Sequence, residues 1–297
     1  MDELPDPVLR WIEASVGDGS RVLSVRAMER ASAEMHEITL ETLGVGGRLV
    51  LRRYADRSRL GSDPFYDPEN EARVLRLLGE TDVPAPRLVA ADLGPDVCDV
   101  PALLESWMPG APADPRDIDC YLRSAAEELV RIHAAVPVRP EGLSDYVSYA
   151  VADGLELSPP AWTTMPGMWE RVIEVIDSEP PDTRTCFIHR DYHPWNTLTV
   201  DDRVVSVVDW PTAAWGPPGI DLARMRLNLV EEVTPASADA FLVAYRAAGG
   251  DLDDRHPYWD LLDAADCLIE SPSGVSDIDD HDKGAFETWV ASALAEL

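Results

Sequence analysis

Lysine is almost missing from this chain: Lys283 is the only one among 25 basic residues, and the others are arginine. So strong a skew resembles coding bias in a GC-rich genome more than a local function. Basic charge is scarce as a whole, because 55 Asp and Glu set the net charge at -30. A field of that sign repels nucleic-acid phosphates and anionic lipid headgroups, so no nucleic acid and no membrane is expected as a partner. No apolar run approaches the ~20 residues of a membrane span. The opening MDELPDPVLRWIEASVG is acidic where a secretory leader would be basic and then apolar, and a cytoplasmic protein is expected. Cysteine is sparse too. Cys98, Cys120, Cys186 and Cys267 show no C-x-x-C spacing, which argues against a disulfide framework and a zinc knuckle.

What is present suffices for a core: 297 residues at 45% hydrophobic fit one large domain or two lobes sharing a cleft. RVLSVRAME, MHEITLETL and RLVLRRY in the first hundred residues read as strands of an antiparallel meander, with GVGG at 44–47 as the tight turn between the last two. DPENEARVLRLLGE places Ala72, Leu75 and Leu78 at helical spacing behind an Asp67-Pro68 start signal. PAPRLVAAD and VPALLESW read as two further strands, and Pro109-Gly110 breaks the chain after them. Segments 117–136, 163–178, 218–231, 236–248, 257–270 and 283–296 are helix-like. The expected architecture is α+β and bilobal, with a small antiparallel β-rich lobe at 1–104 holding one main helix, a hinge at 105–110, and a larger helical lobe at 111–297.

The chemistry concentrates in FIHRDYHPWNTL (187–198) and VVSVVDWPT (204–212). Phosphoryl transfer needs a carboxylate to accept or orient the acceptor's hydroxyl proton, and oxygen ligands to hold Mg²⁺ against nucleotide phosphates. The octet HRDYHPWN has the spacing of the H-R-D-x-x-x-x-N loop that does this in protein kinases. TLTV and VVSVV flank Asp201 and Asp202 as a hairpin would, which carries Asp209 back beside the loop bearing Asn196. His189, Asp191 and His193, alternate residues on an extended segment, could instead ligate a metal, but no histidine or cysteine cluster accompanies them.

The stretch IHRDYHPWNTLTVDDRVVSVVDWPTAAWGPPGIDLAR resembles the aminoglycoside phosphotransferase family of small-molecule kinases, which share the protein-kinase-like fold; NEARVLRLLGETDVPAPRLVAAD and ALLESWMPG are similar to its first-lobe helix, next strand and hinge. The resemblance covers roughly residues 20–250. It implies ATP or GTP and Mg²⁺ as cofactors and a small-molecule hydroxyl as acceptor. It further implies Asp191 as the catalytic base, Asn196 and Asp209 as Mg²⁺ ligands, His189 and His193 as supports of the loop, and Asp221 as its brace. Backbone groups of Glu105, Ser106, Trp107 and Met108 would meet the nucleobase.

Three departures stand out. The strand position that holds lysine in kinases carries Arg52, with Glu71 as its implied partner, and guanidinium does not replace ammonium neutrally. Arg52 and Glu71 could also form a plain surface ion pair. The segment ERASAEMH, where a phosphate-covering loop is implied, has no glycine, only the hydroxyl of Ser32. Trp-Pro follows Asp209 where a small residue is common. These departures keep open a second reading, a catalytically weak nucleotide-binding pseudokinase acting as a conformational module. Trp195 and Trp215 are the aromatic candidates for an acceptor wall. The acidic stretch 251–282, with Asp260, Asp263, Asp266 and Glu270, is either a lip that attracts a cationic acceptor or a solvated acidic face.

Overall fold

The computed structural model describes residues 4–28, 33–114, 117–149, 157–269 and 283–297. The chain forms two compact units, Met1–Gly110 with Ser206–Thr212, and Ala111–Val205 with Ala213–Leu297.

In the first unit, strands β1 (Ser20–Met28), β2 (Glu34–Thr42), β3 (Val45–Arg53), β4 (Leu88–Asp92) and β5 (Ala102–Ser106) form one sheet in the order β1-β2-β3-β5-β4. Every neighbouring pair is antiparallel. The opening acidic segment, read above for charge alone, folds as helix α1 (Asp6–Val16). Its Val8 and Ile12 pack with Ile38, Leu40, Leu51 and Leu104 of the sheet. Helix α2 (Pro68–Leu78) begins where Asp67 accepts from the backbone N–H groups of Glu69 and Asn70, with proline in the first turn. The β2–β3 turn lies one step earlier than GVGG suggests. Leu43 and Gly44 occupy it at φ 51° and 83°, the two left-handed positions of a two-residue hairpin, and Gly46 and Gly47 belong to β3.

In the second unit, β6 (Ala111–Pro112) and β8 (Thr197–Val200) belong to a small sheet completed by β9 (Arg203–Val207), whose last two residues open the Ser206–Thr212 segment of the first unit, and β7 (Cys186–Ile188) pairs with β10 (Ala214–Gly216). Asp201 and Asp202 turn β8 into β9 at φ 51° and 57°. The remaining elements are helices α3 (Ile118–Ala135), α4 (Pro166–Ile176), α5 (Gly219–Glu232), α6 (Pro235–Ala247), α7 (Pro257–Ile269) and α8 (Lys283–Ala295). Helix α5 packs against α6, α7 and α8 and is buried along most of its length. Its first residue must be small, because a Cβ on Gly219 would stand 2.3 Å from the Trp259 ring and 2.6 Å from the Asp254 carbonyl oxygen. The α+β class, with an antiparallel-sheet N-terminal region and a helical C-terminal region, is the one read from the sequence. No helix among the described residues is long and apolar enough to cross a membrane.

Candidate active site

Strand alternation puts Arg52 and Arg53 on opposite faces of β3, and their partners differ accordingly. Arg53 pairs with Glu34 and Asp99. Arg52, 1% exposed, is surrounded by acids: its Nε lies 3.4 Å from Glu71 Oε1 and 4.0 Å from Glu105 Oε1, and its Nη2 donates to Asp209 Oδ1 at 2.6 Å. Glu71 is equally buried and accepts from the Tyr54 hydroxyl, so the surface-pair reading is corrected. Burial opposes the charge of Arg52, yet Glu71 and Asp209 hold its pKa above the ordinary value. Arg52 Nη1 is buried with no hydrogen-bond partner among the described residues.

Asp209 reaches this centre because its segment is tied to the first unit. Ser206 Oγ donates to the Pro109 carbonyl, Val207 N–H to Pro84, and Asn70 Nδ2 to Pro211. Asp209 itself sits at φ 67°, a conformation Asp tolerates better than most residues. Glu105 and Ser106 close β5. Ser106 exchanges hydrogen bonds with Arg87, accepting at Oγ from its N–H and donating its own N–H to the Arg87 carbonyl, both at 2.9 Å. Trp107 and Met108 follow the strand, and the Arg48 guanidinium covers the Trp107 ring at 4.3 Å. Ser32 lies outside the described residues.

The HRDYHPWN loop leaves β7 and enters β8 in the second unit. Asp221, fully buried in the first turn of α5, accepts the backbone N–H of His189 at 2.9 Å and of Arg190 at 2.6 Å. His133 of α3 stands 3.0 Å from the same carboxylate and 3.0 Å from the Tyr245 hydroxyl. Tyr245 in turn donates to Asp254, which Arg184 binds. Asp221 thus holds two backbone amides of the loop, and His133, which no local sequence signal announced, holds Asp221 in turn. Within the loop His189 is buried and its Nδ1 accepts the Asp191 N–H at 3.3 Å. Asn196 Nδ2 donates to the Asp191 carbonyl at 2.9 Å and to Asp191 Oδ2 at 3.1 Å, and His193 Nε2 stands 3.4 Å from the same oxygen. Arg190 takes φ 73°, with its guanidinium 3.9 Å from the Tyr149 ring centroid.

Burial disfavours an ionised Asp191, but His193, Arg224 and His189 outweigh it and hold the carboxyl well below the usual range. Burial likewise lowers the His193 pKa, and Asp191 beside it reverses the sign, so that the imidazole is easier to protonate than usual. The result is an ionised, oriented, partly exposed carboxylate in a loop without helix or strand.

Other expectations fared differently. Trp195 is 52% exposed, with its indole N–H donated to Glu232 at 2.5 Å. Trp215 is half-buried on β10 and donates to Thr185. The reading of Asp260, Asp263 and Asp266 as a solvated acidic lip or face is corrected: all three are at most 4% exposed. Asp260 binds Arg226 and Arg255, Asp263 binds Arg224, and Asp266 accepts the Tyr149 N–H. Glu270 lies outside the described residues.

The family model described as phosphotransferase enzyme family, APH, matches residues 31–259. The chain belongs to that family. Among solved structures it resembles the macrolide 2'-phosphotransferase MphH of Brachybacterium faecium, at 21% identity and TM-score 0.58 over 98% of each chain. It also resembles aminoglycoside phosphotransferase APH(4)-Ia in a ternary complex with ADP and hygromycin B, at 16% identity and TM-score 0.59 over 97% of each. A microcompartment-associated aminopropanol kinase is similar at 16% identity and TM-score 0.60, over 92% of this chain and 90% of that one. At these identities the likeness is one of fold. No relative was found among curated protein sequences.

Proposed function

We propose that this phosphotransferase-family member is an ATP-dependent small-molecule kinase that passes the γ-phosphoryl group to an acceptor hydroxyl. The observation that carries the proposal is the state of Asp191: ionised, aligned by Asn196 and half-open to solvent in the kinase-spaced loop. Such a carboxylate can orient a hydroxyl and take up its proton as the O–P bond forms. Arg52, held by Glu71 and Glu105, offers the buried Nη1 donor to the α/β-phosphates. The end of β5, at Glu105, Ser106, Trp107 and Met108, is the proposed edge for the nucleobase.

Each proposed ligand, taken within its own unit, presents an oxygen that suits Mg²⁺. Asn196 engages its neighbours through the amide nitrogen, which leaves its carbonyl oxygen for a hard cation, and Asp209 adds a partly exposed carboxylate. No group of three His, Cys, Asp or Glu residues among the described ones is arranged as a metal cage, and Mg²⁺ held against phosphates needs only one or two carboxylates. When bound, the ion neutralises charge on the phosphates.

Trp195 and Trp215 are proposed as acceptor-facing aromatics. Named relatives act on macrolides and aminopropanol or bind hygromycin B, so those three chemistries open the acceptor panel. The test is thermal stabilisation by ATP with and without Mg²⁺, followed by turnover across the panel. Asp191→Ala is expected to keep ATP affinity and lose at least ~10²-fold in kcat, and Asp209→Ala to lose the Mg²⁺ dependence of ATP binding. If Asp191→Ala turns over like the wild type, the proposal fails; stabilisation by ATP with no turnover of any acceptor favours the pseudokinase reading.

A further inference from the structure

Helix α5 touches the catalytic loop twice. Asp221 binds the backbone of His189 and Arg190, and one turn later, on the same side of the helix, Arg224 places its Nε 3.7 Å from Asp191 Oδ1. The far end of that guanidinium is fixed as well, because Nη2 lies 3.0 Å from Asp263 Oδ1 on α7. Arg224 is 7% exposed and Asp263 4%. We infer that Arg224 is a positioning residue for the catalytic carboxylate, and that the buried Asp263 holds it in place for that task; the inference rests on the phosphotransfer reading above.

The two oxygens of Asp191 are used differently. Oδ2 accepts from Asn196 and neighbours His193. Oδ1 faces Arg224 at ion-pair rather than hydrogen-bond distance, so its charge and direction are fixed while its lone pairs stay available to an acceptor hydroxyl. A guanidinium suits this duty because its planar fork can face two carboxylates at once, which a single ammonium cannot do with the same geometry. The α7 carboxylates acquire a division of labour. Asp263 is linked to the catalytic loop through Arg224, whereas Asp260 engages Arg226 and Arg255. Arg226, two residues further along α5 and paired with a carboxylate of the same partner helix, is therefore an internal control: equally buried, similarly paired, and engaged with Asp260 and Asp239 rather than with Asp191.

The test is a double-mutant cycle in the full chain, reading phosphoryl transfer from Mg·ATP to water and to the best acceptor of the panel. Arg224→Met should lower kcat by ~10- to 10²-fold with the KM for ATP within ~2-fold, the pattern of an interaction used in the transition state. Arg224→Lys should recover part of the loss, and Arg226→Met should stay within ~2-fold of wild-type kcat. Placed on Asp191→Asn, Arg224→Met should add less than ~2-fold, because a residue acting through Asp191 has nothing left to position. The inference is overturned if Arg224→Met costs as much in the Asp191→Asn background as in the wild type, if the KM for ATP rises in step with the loss, or if Arg226→Met costs the same. Should Arg224→Met fail to fold by circular dichroism, Asp263→Asn carries the cycle: a loss of ~3- to 10-fold that vanishes in the Asp191→Asn background supports the inference, and an additive loss overturns it. An Asp191→Asn variant as active as the wild type would instead remove the phosphotransfer reading beneath it.

Discussion

Around Arg52 one cation is surrounded by three carboxylates, whereas around Asp191 one carboxylate is flanked by His193 and Arg224. Both centres are charged and partly shielded from water, yet their protonation is driven in opposite directions. In the first, burial pushes Glu71 upward and Glu105 up to about 8, against the pull of Arg52. In the second, the cations overcome burial and keep Asp191 ionised. A centre rich in carboxylates repels a bare polyphosphate, so nucleotide binding there should need the metal's charge. A carboxylate that cannot easily be neutralised keeps its charge and lone pairs for orienting a hydrogen-bond donor.

The largest expected effect comes from emptying the first centre of its cation. Arg52→Ala leaves Glu71, Glu105 and Asp209 without their shared cation, and unfolding in urea should show a loss of about 3–5 kcal/mol, the range for breaking a buried ion pair from one side. Titration calorimetry should show weaker ATP binding in the same variant. Arg52→Lys should fall between, since one ammonium cannot serve three carboxylates at the reach of a guanidinium. A lysine variant equal to wild type in both measurements would show that the fork is dispensable.

A smaller effect sharpens the contrast through pH. Glu105 has a raised pKa in the folded chain, so between the unfolded value near 4.5 and about 8 the folded state binds more protons than the unfolded state. Stability from this group therefore falls as pH rises across that window and is level above it. Glu105→Gln, which keeps the neutral shape, should flatten that part of the stability–pH curve and be more stable than wild type at pH 8. An unchanged slope would mean that Glu105 is ionised beside Arg52 in the fold.

The smallest effect is expected at Arg190. A left-handed φ costs a non-glycine residue ~1–2 kcal/mol, and the contact with Tyr149 returns ~0.5–2 kcal/mol. Arg190→Gly should accordingly shift stability by no more than ~1 kcal/mol in denaturant titrations, whereas Arg190→Ala, which keeps the strain and loses the contact, should be the less stable of the two.

The fold was largely legible because its signals are local: Val-, Leu- and Ile-rich runs for the strands of the first unit, helical spacing for α2 to α8, and a fixed octet for the loop. Strand alternation separates Arg52 from Arg53, but Glu71 as the partner of Arg52 came from the family resemblance rather than from a local signal. What escaped depends on partners distant in sequence. The acids of α7 read as a charged surface because Arg224 and Arg226, which neutralise Asp263 and Asp260, lie on α5, and charge density along a sequence says nothing about neutralisation from another helix. Arg224 stood in the quoted GIDLAR stretch, yet nothing at that position distinguishes a positioning guanidinium from an ordinary helical arginine. His133, in the last turn of α3, was invisible for the same reason. The β2–β3 turn was misplaced because four glycine-rich positions offered several ways to turn, and an exposed Leu43 took one of the two left-handed sites.

Asp221 has a further consequence, in the dynamics of the loop. Its two oxygens, fully buried, cap the amide protons of His189 and Arg190, so those amides exchange with solvent deuterium only when α5 and the loop separate. A segment with no regular secondary structure is thereby tied to the opening free energy of the helical core rather than to that of a surface loop. The Asp191 carboxylate hangs from backbone as slow to open as the helix that holds it.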